Sequence, residues 1–144
     1  MKQIYTLTIE FEHFWDEDDE WRRVVEVEDS MELYDLHLFI QEVVEFDNDH
    51  LFEFFLGTSR RNRKVAFGDD GGFGNGEVYG LDTELKEIFP LGGLKFYYHF
   101  DFGDDWIFRI KKSRKIGKVD PKVEYPRVIE KIGENPEQYP DYDE

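Results

Sequence analysis

The stretch His99-Phe100-Asp101-Phe102-Gly103-Asp104-Asp105-Trp106 constrains this chain more than any other. Leu94, Phe96, Tyr98, Phe100 and Phe102 fall at every second position before an acidic, glycine-bearing tip. Trp106, Phe108 and Ile110 do the same after it. Residues paired across an antiparallel ladder point to the same side, so period two on both arms predicts a hairpin with one oily and one polar face. Pairing Phe102 with Trp106 and Phe100 with Phe108 keeps the apolar rows together and leaves Gly103-Asp104-Asp105 as the loop. A two-residue loop would set Asp101 against Trp106 and mix the faces. In the favoured register His99 lies opposite Arg109, with Asp101 diagonal to it.

The rest of the chain supplies elements for that hairpin to pack with. Tyr5, Leu7, Ile9 and Phe11 take one face of a first strand. Trp21, Val25 and Val27 line a second, beyond the acidic run Asp16–Glu20. Leu33, Leu36, Ile40, Val43 and Val44 form an apolar stripe at helical spacing, with Asp29 or Ser30 placed to cap it. Leu51–Leu56 is a third strand, and Thr83–Phe89 predicts a short helix that Pro90 stops. This order points to an α+β fold: a mixed sheet with one main helix packed across it, a β-grasp-like plan with an added hairpin strand. Residues 1–118 form the domain in this reading. Residues 119–144, holding four of the five prolines, form an extended tail partly draped on it.

The net charge is −16 and it is unevenly spread. Residues 1–50 hold 16 acids against 3 bases, a net of −13. Such a surface repels nucleic-acid backbones and anionic membranes and favours a basic protein partner. There is no cysteine, hence no disulfide, thiolate nucleophile or thiolate metal site. No leader pattern or apolar run of about 20 residues is present, so the expected setting is cytoplasmic, with no membrane contact.

Five motifs follow one another in order. They are Trp21-Arg22-Arg23, Leu36-His37 with Ile40-Gln41, His50-Leu51-Phe52-Glu53-Phe54, Asp101 to Trp106 with Gly103 and Asp104 between, and Tyr125-Pro126-Arg127. Together they resemble the plasmid pRiA4b Orf-three-like family over residues 3–130. The resemblance implies a prokaryotic α+β domain associated with plasmids and mobile elements, with no assigned activity. Where members of that family continue into a Pro-Pro-Glu-Asp-x-Gly-Gly stretch, this chain has Asn135-Pro136-Glu137-Gln138-Tyr139-Pro140.

Candidate chemistry rests on His37, His50, Asp101 and Asp104, with His99 and Asp105 nearby. Imidazole nitrogen and carboxylate oxygen suit divalent metals or acid–base work. Their spacing matches no ligand signature, and the residues also suit a polar network around Arg109. Asp101-Phe102-Gly103 is no kinase element, because no phosphate loop or His-Arg-Asp loop accompanies it. Gly71–Gly76 departs from a nucleotide fingerprint at Glu77. Asp16–Glu20 lacks the glycine and terminal glutamate of a calcium loop. The basic runs Arg60–Lys64 and Lys111–Lys118 lack the interleaved aromatics of single-strand binders. The expectation is a non-catalytic interaction or accessory module with no cofactor. The alternatives are an enzyme using His37, His50, Asp101 and Asp104, or a nucleic-acid-binding accessory protein using the two basic runs.

Overall fold

The computed structural model describes residues 2–12, 20–49, 51–68, 77–101 and 106–135. The strands are β1 (Gln3–Phe11), β2 (Arg22–Glu28), β3 (Phe52–Ser59), β4 (Asn62–Phe67), β5 (Glu77–Tyr79), β6 (Lys95–Phe100), β7 (Trp106–Lys118) and β8 (Arg127–Ile132). The helices are α1 (Leu33–Val44) and the single turn α2 (Leu85–Ile88). All eight strands join one sheet in the order β5-β4-β3-β6-β7-β1-β2-β8. Every neighbouring pair is antiparallel except β4–β5, which is parallel at one edge.

This corrects the expected fold class. Strands take 51% of the described residues and helices 14%. The described residues form a predominantly antiparallel sheet with one short helix beside the single turn α2, and not a helix packed across a mixed sheet. The β-grasp comparison fails at the centre, where β1 meets β7 antiparallel. The imbalance comes from three strands that hydrophobic period does not mark: β4, β5 and β8.

The sequence patterns place the core. Leu7, Ile9 and Val25 have no exposed surface, as have Leu33, Leu36, Ile40 and Val44 on α1 and Phe54, Tyr98 and Phe108 on the central strands. They belong to one apolar cluster. Burying each large side chain contributes roughly 2–3 kcal/mol. On the other face of the central strands Phe55, Tyr97 and Ile107 form a second, smaller cluster. Phe55 and Tyr97 are cross-strand partners with stacked rings 4.9 Å apart.

The hairpin keeps its faces but changes its register. Phe100 pairs with Trp106 and Tyr98 with Phe108, so His99 lies opposite Ile107 and Tyr97 opposite Arg109. A two-residue shift preserves the side of every side chain, because the strand period is two. Trp106 is 1% exposed within the main core. The strands part at Asp101, which adopts φ +58 and donates its N–H to the Leu51 carbonyl at 2.9 Å. Phe102 to Asp105 lie outside the described residues, as do the acidic run through Asp19 and the glycine-rich stretch from Asp69 to Gly76.

Helix α1 starts later than expected. Its N-cap is Glu32, with no side-chain cap bond. Asp29 is buried and accepts from the Gln3 N–H at 3.1 Å, tying the end of β2 to β1. α2 carries a capping box, in which the Glu87 carboxylate accepts the Glu84 N–H at 2.8 Å.

Candidate functional site

His37 and Gln41 sit one helical turn apart on α1, so their side chains leave the same face. That face is turned to the sheet: His37 is 1% exposed and Gln41 3%. Beneath them lies the Tyr98 hydroxyl, 2.5 Å from His37 Nδ1 and 2.9 Å from Gln41 Nε2. His37 Nε2 reaches Asn48 Oδ1 at 2.7 Å, and the Asn48 N–H donates to Gln41 Oε1 at 3.0 Å. The imidazole lies flat on the Phe52 ring at 3.4 Å.

These contacts assign the proton. Asn48 Oδ1 only accepts, so Nε2 carries the hydrogen of a neutral ring. Nδ1 is then the acceptor, and the Tyr98 hydroxyl donates to it while accepting from Gln41. A second proton on the ring would point two donors at the phenol oxygen. Desolvation, only partly opposed by the Asn48 hydrogen bond, pulls the His37 pKa down to about 4. Burial likewise pushes the Tyr98 phenol above its ordinary value.

A second polar group occupies the opposite sheet face. Glu53 and His99 are cross-strand partners on β3 and β6. His99 Nδ1 lies 3.5 Å from Glu53 Oε2 and 3.2 Å from an Arg63 Nη. Arg63 also pairs directly with the Glu53 carboxylate and lays its guanidinium 4.3 Å from the Phe55 ring centre. Tyr98 and His99 are adjacent in one strand and therefore point to opposite faces, so His37 and His99 stand on opposite sides of the sheet. Asp101 is buried at the end of β6. His50, Gly103, Asp104 and Asp105 lie outside the described residues. Among the described residues no three His, Asp or Glu side chains are grouped to hold a metal ion.

The strands that carry the first and last motifs, β2 and β8, pair at the other edge of the sheet, with the two motifs at opposite ends of the ladder. Arg23 sits on β2, where its Nη atoms donate to the carbonyls of Arg22, Ile132 and Gly133 at 2.8, 2.7 and 2.8 Å. It also donates to Asn135 Oδ1 at 3.0 Å, an oxygen that accepts the Trp21 indole N–H at 2.9 Å. The Arg23 guanidinium lies 4.6 Å over the Trp21 ring. Asn135 in turn donates to the Val43 carbonyl on α1 at 3.0 Å. Arg22 pairs with Glu20 at 3.0 Å, and Arg127 with Glu26 at 2.6 Å. Tyr125 and Pro126 line a groove against α1.

The two basic runs do not adjoin. Arg60 and Arg61 form the turn between β3 and β4, while Lys111–Lys118 lies on β7, with β3 and β6 between β4 and β7 in the sheet. Sequence reasoning missed Tyr98, Asn48 and Asn135 as polar partners. It also missed the pairing of Glu53 with Arg63. A lone carboxylate inside the Phe-rich third strand was the available signal, because a buried charge requires a partner.

A family model described as plasmid pRiA4b ORF-3-like protein matches residues 3–139. An uncharacterized protein y4hQ of Sinorhizobium fredii (strain NBRC 101917 / NGR234) is 34% identical over 117 residues. That match covers 80% of this chain and 56% of the relative, so the chain spans little more than half its length. The crystal structure of the protein of unknown function MM3350 from Methanosarcina mazei Go1 superposes with a TM-score of 0.74 at 24% identity. It covers 91% of this chain and 70% of that one, a likeness of fold. No helix among the described residues is long and apolar enough to cross a membrane.

Proposed function

Because the chain belongs to the plasmid pRiA4b ORF-3-like family, we propose that it is a non-catalytic interaction or accessory module for a basic partner protein. One observation carries this reading: the described motif side chains are engaged in holding the fold together. His37 uses both ring nitrogens internally and stays neutral down to about pH 4. A general base needs a free lone pair within reach of substrate, and the Nδ1 lone pair is occupied by Tyr98. Trp21 and Arg23 hold the end of β8, and Arg127 pairs with Glu26.

The surface charge supports the choice of partner. A net of −16, with −13 in the first 50 residues, attracts cations and repels phosphate chains. The test is recovery of a tagged chain from its host, followed by reconstitution with the purified co-eluting protein. A stoichiometric complex with a basic protein should sediment at about 0.15 M salt and separate near 1 M. A chain that sediments alone at both ionic strengths overturns the reading.

A further inference from the structure

The groove between the outer face of α1 and the segment entering β8 has a volume of about 490 Å³. Met31, Leu38, Phe39 and Tyr125 give it apolar walls, and Leu38 is 40% exposed there. Glu28, Asp35 and Glu42 line it as well. Glu28 is matched by Lys2 at 3.0 Å. Asp35 and Glu42 have no ion-pair partner among the described residues. They stand two helical turns apart on α1, so their carboxylates leave one face about 10 Å apart. Leu38 and Phe39 lie between them in the chain.

We propose that this groove binds a basic segment of a partner protein that carries apolar side chains between two cations. A segment in the polyproline-II conformation, with three residues per turn, sets Lys or Arg at positions i and i+3 on one side about 9 Å apart and matches the two carboxylates. The apolar pair between the cations meets Leu38 and Phe39. The inference rests on the module reading above and gives it an address. A second copy of this chain offers a similar pattern in Lys115-Ile116-Gly117-Lys118, where Ile116 is 47% exposed. Two chains of −16 repel each other, however, and the charge favours a partner of opposite sign.

The test is fluorescence anisotropy of the full chain with a glycine-flanked Lys-Leu-Leu-Lys peptide. Glu-Leu-Leu-Glu and Lys-Ser-Ser-Lys peptides serve as controls. The first peptide should bind saturably and the controls at least about tenfold more weakly. Glu42→Lys and Leu38→Ser should each weaken binding about tenfold, as should raising salt from about 0.05 to 0.5 M. A lysine at position 42 suits the C-terminal end of the helix dipole, and Leu38 is half exposed, so both variants keep the fold. No binding by the wild-type chain, or equal binding by both variants, overturns the groove. A dimer in sedimentation that Glu42→Lys abolishes overturns the partner protein as occupant. If the reconstituted complex survives both variants, the groove fails while the module reading stands.

Discussion

The Tyr98 hydroxyl donates to Nδ1 of His37 at 2.5 Å, joining β6 to α1 across 61 positions of chain. The bond exists only while the imidazole is neutral, because the opposite nitrogen already gives its hydrogen to Asn48. Anchoring of the helix is therefore linked to proton concentration.

Folded His37 holds its pKa near 4 against an ordinary 6.5. As pH falls below 6.5 the unfolded chain takes up a proton that the folded chain refuses until about pH 4. Stability is thus highest above pH 6.5 and declines as pH falls toward 4, by at most about 3 kcal/mol from this group. Urea unfolding of the wild type and His37→Leu at intervals across that window measures it. The variant should lose this part of the slope. Parallel pH profiles for the two proteins contradict the assignment.

Removing only one member of the pair is costlier than the pair itself is worth. Tyr98→Phe leaves Nδ1 and the Gln41 amide without their partner, and should cost about 1–3 kcal/mol. His37→Leu should cost more, because it also strips Asn48 Oδ1 and the stacking on Phe52. The double variant should be less destabilised than the sum of the two by about 1–2 kcal/mol. Additive losses in denaturant titrations would show that the two side chains act independently.

How far the sequence revealed this arrangement follows from what period and composition encode. Alternation located β1 and β2, and the helical stripe located α1, because each has one buried face; β6 and the start of β7 are buried on both faces, and there the polar residues Lys95, His99 and Arg109 still marked the alternation. β8 was not legible. In Arg127-Val128-Ile129-Glu130-Lys131-Ile132 the apolar residues do not alternate cleanly, and Ile129 is 47% exposed. That edge strand is held by Arg23 and Asn135, contacts between residues more than 100 positions apart that no local pattern records. His37 was legible as a polar residue beside the apolar stripe. Its partner Tyr98 was hidden, because a tyrosine in an aromatic row reads as core.

The Glu53–Arg63–His99 group predicts an asymmetry. The Glu53 side chain is 11% exposed, so Arg63→Met leaves a carboxylate largely desolvated, with His99 as its remaining neighbour. Breaking a buried pair from one side is strongly unfavourable, and the half-exposed Arg63 moderates this to roughly 2 kcal/mol. Adding Glu53→Gln to Arg63→Met should restore part of the loss, since the stranded charge is gone. Thermal melts of the two variants decide it. If the double variant is the less stable, the remaining contact of the Glu53 carboxylate with His99 outweighs its desolvation, and the asymmetry fails.

The last joint tests whether the Trp21-Arg22-Arg23 motif is structural. Arg23 reaches the carbonyls of Ile132 and Gly133 with two separate nitrogens, a fork that an ammonium cannot reproduce. Gly133 adopts φ +83 so that its backbone passes close to Glu20, and a Cβ there would collide with the Glu20 carbonyl oxygen. Arg23→Lys and Gly133→Ala should therefore produce the same local result by different routes. Each should expose the amides of Arg127–Ile132 to hydrogen exchange, while those of β1, β6 and β7 keep their protection. The expected loss is about 1–2 kcal/mol for the arginine, from part-buried carbonyls left without their donors. The glycine variant should lose at least as much, through backbone strain added to the collision. The groove lies at the opposite end of β8 from this joint, where Tyr125 and Pro126 lead into the strand, so a β8 freed along its whole length should also weaken the basic peptide. Unchanged exchange in β8 with Arg23→Lys would mean that the sheet ladder with β2 alone secures this strand.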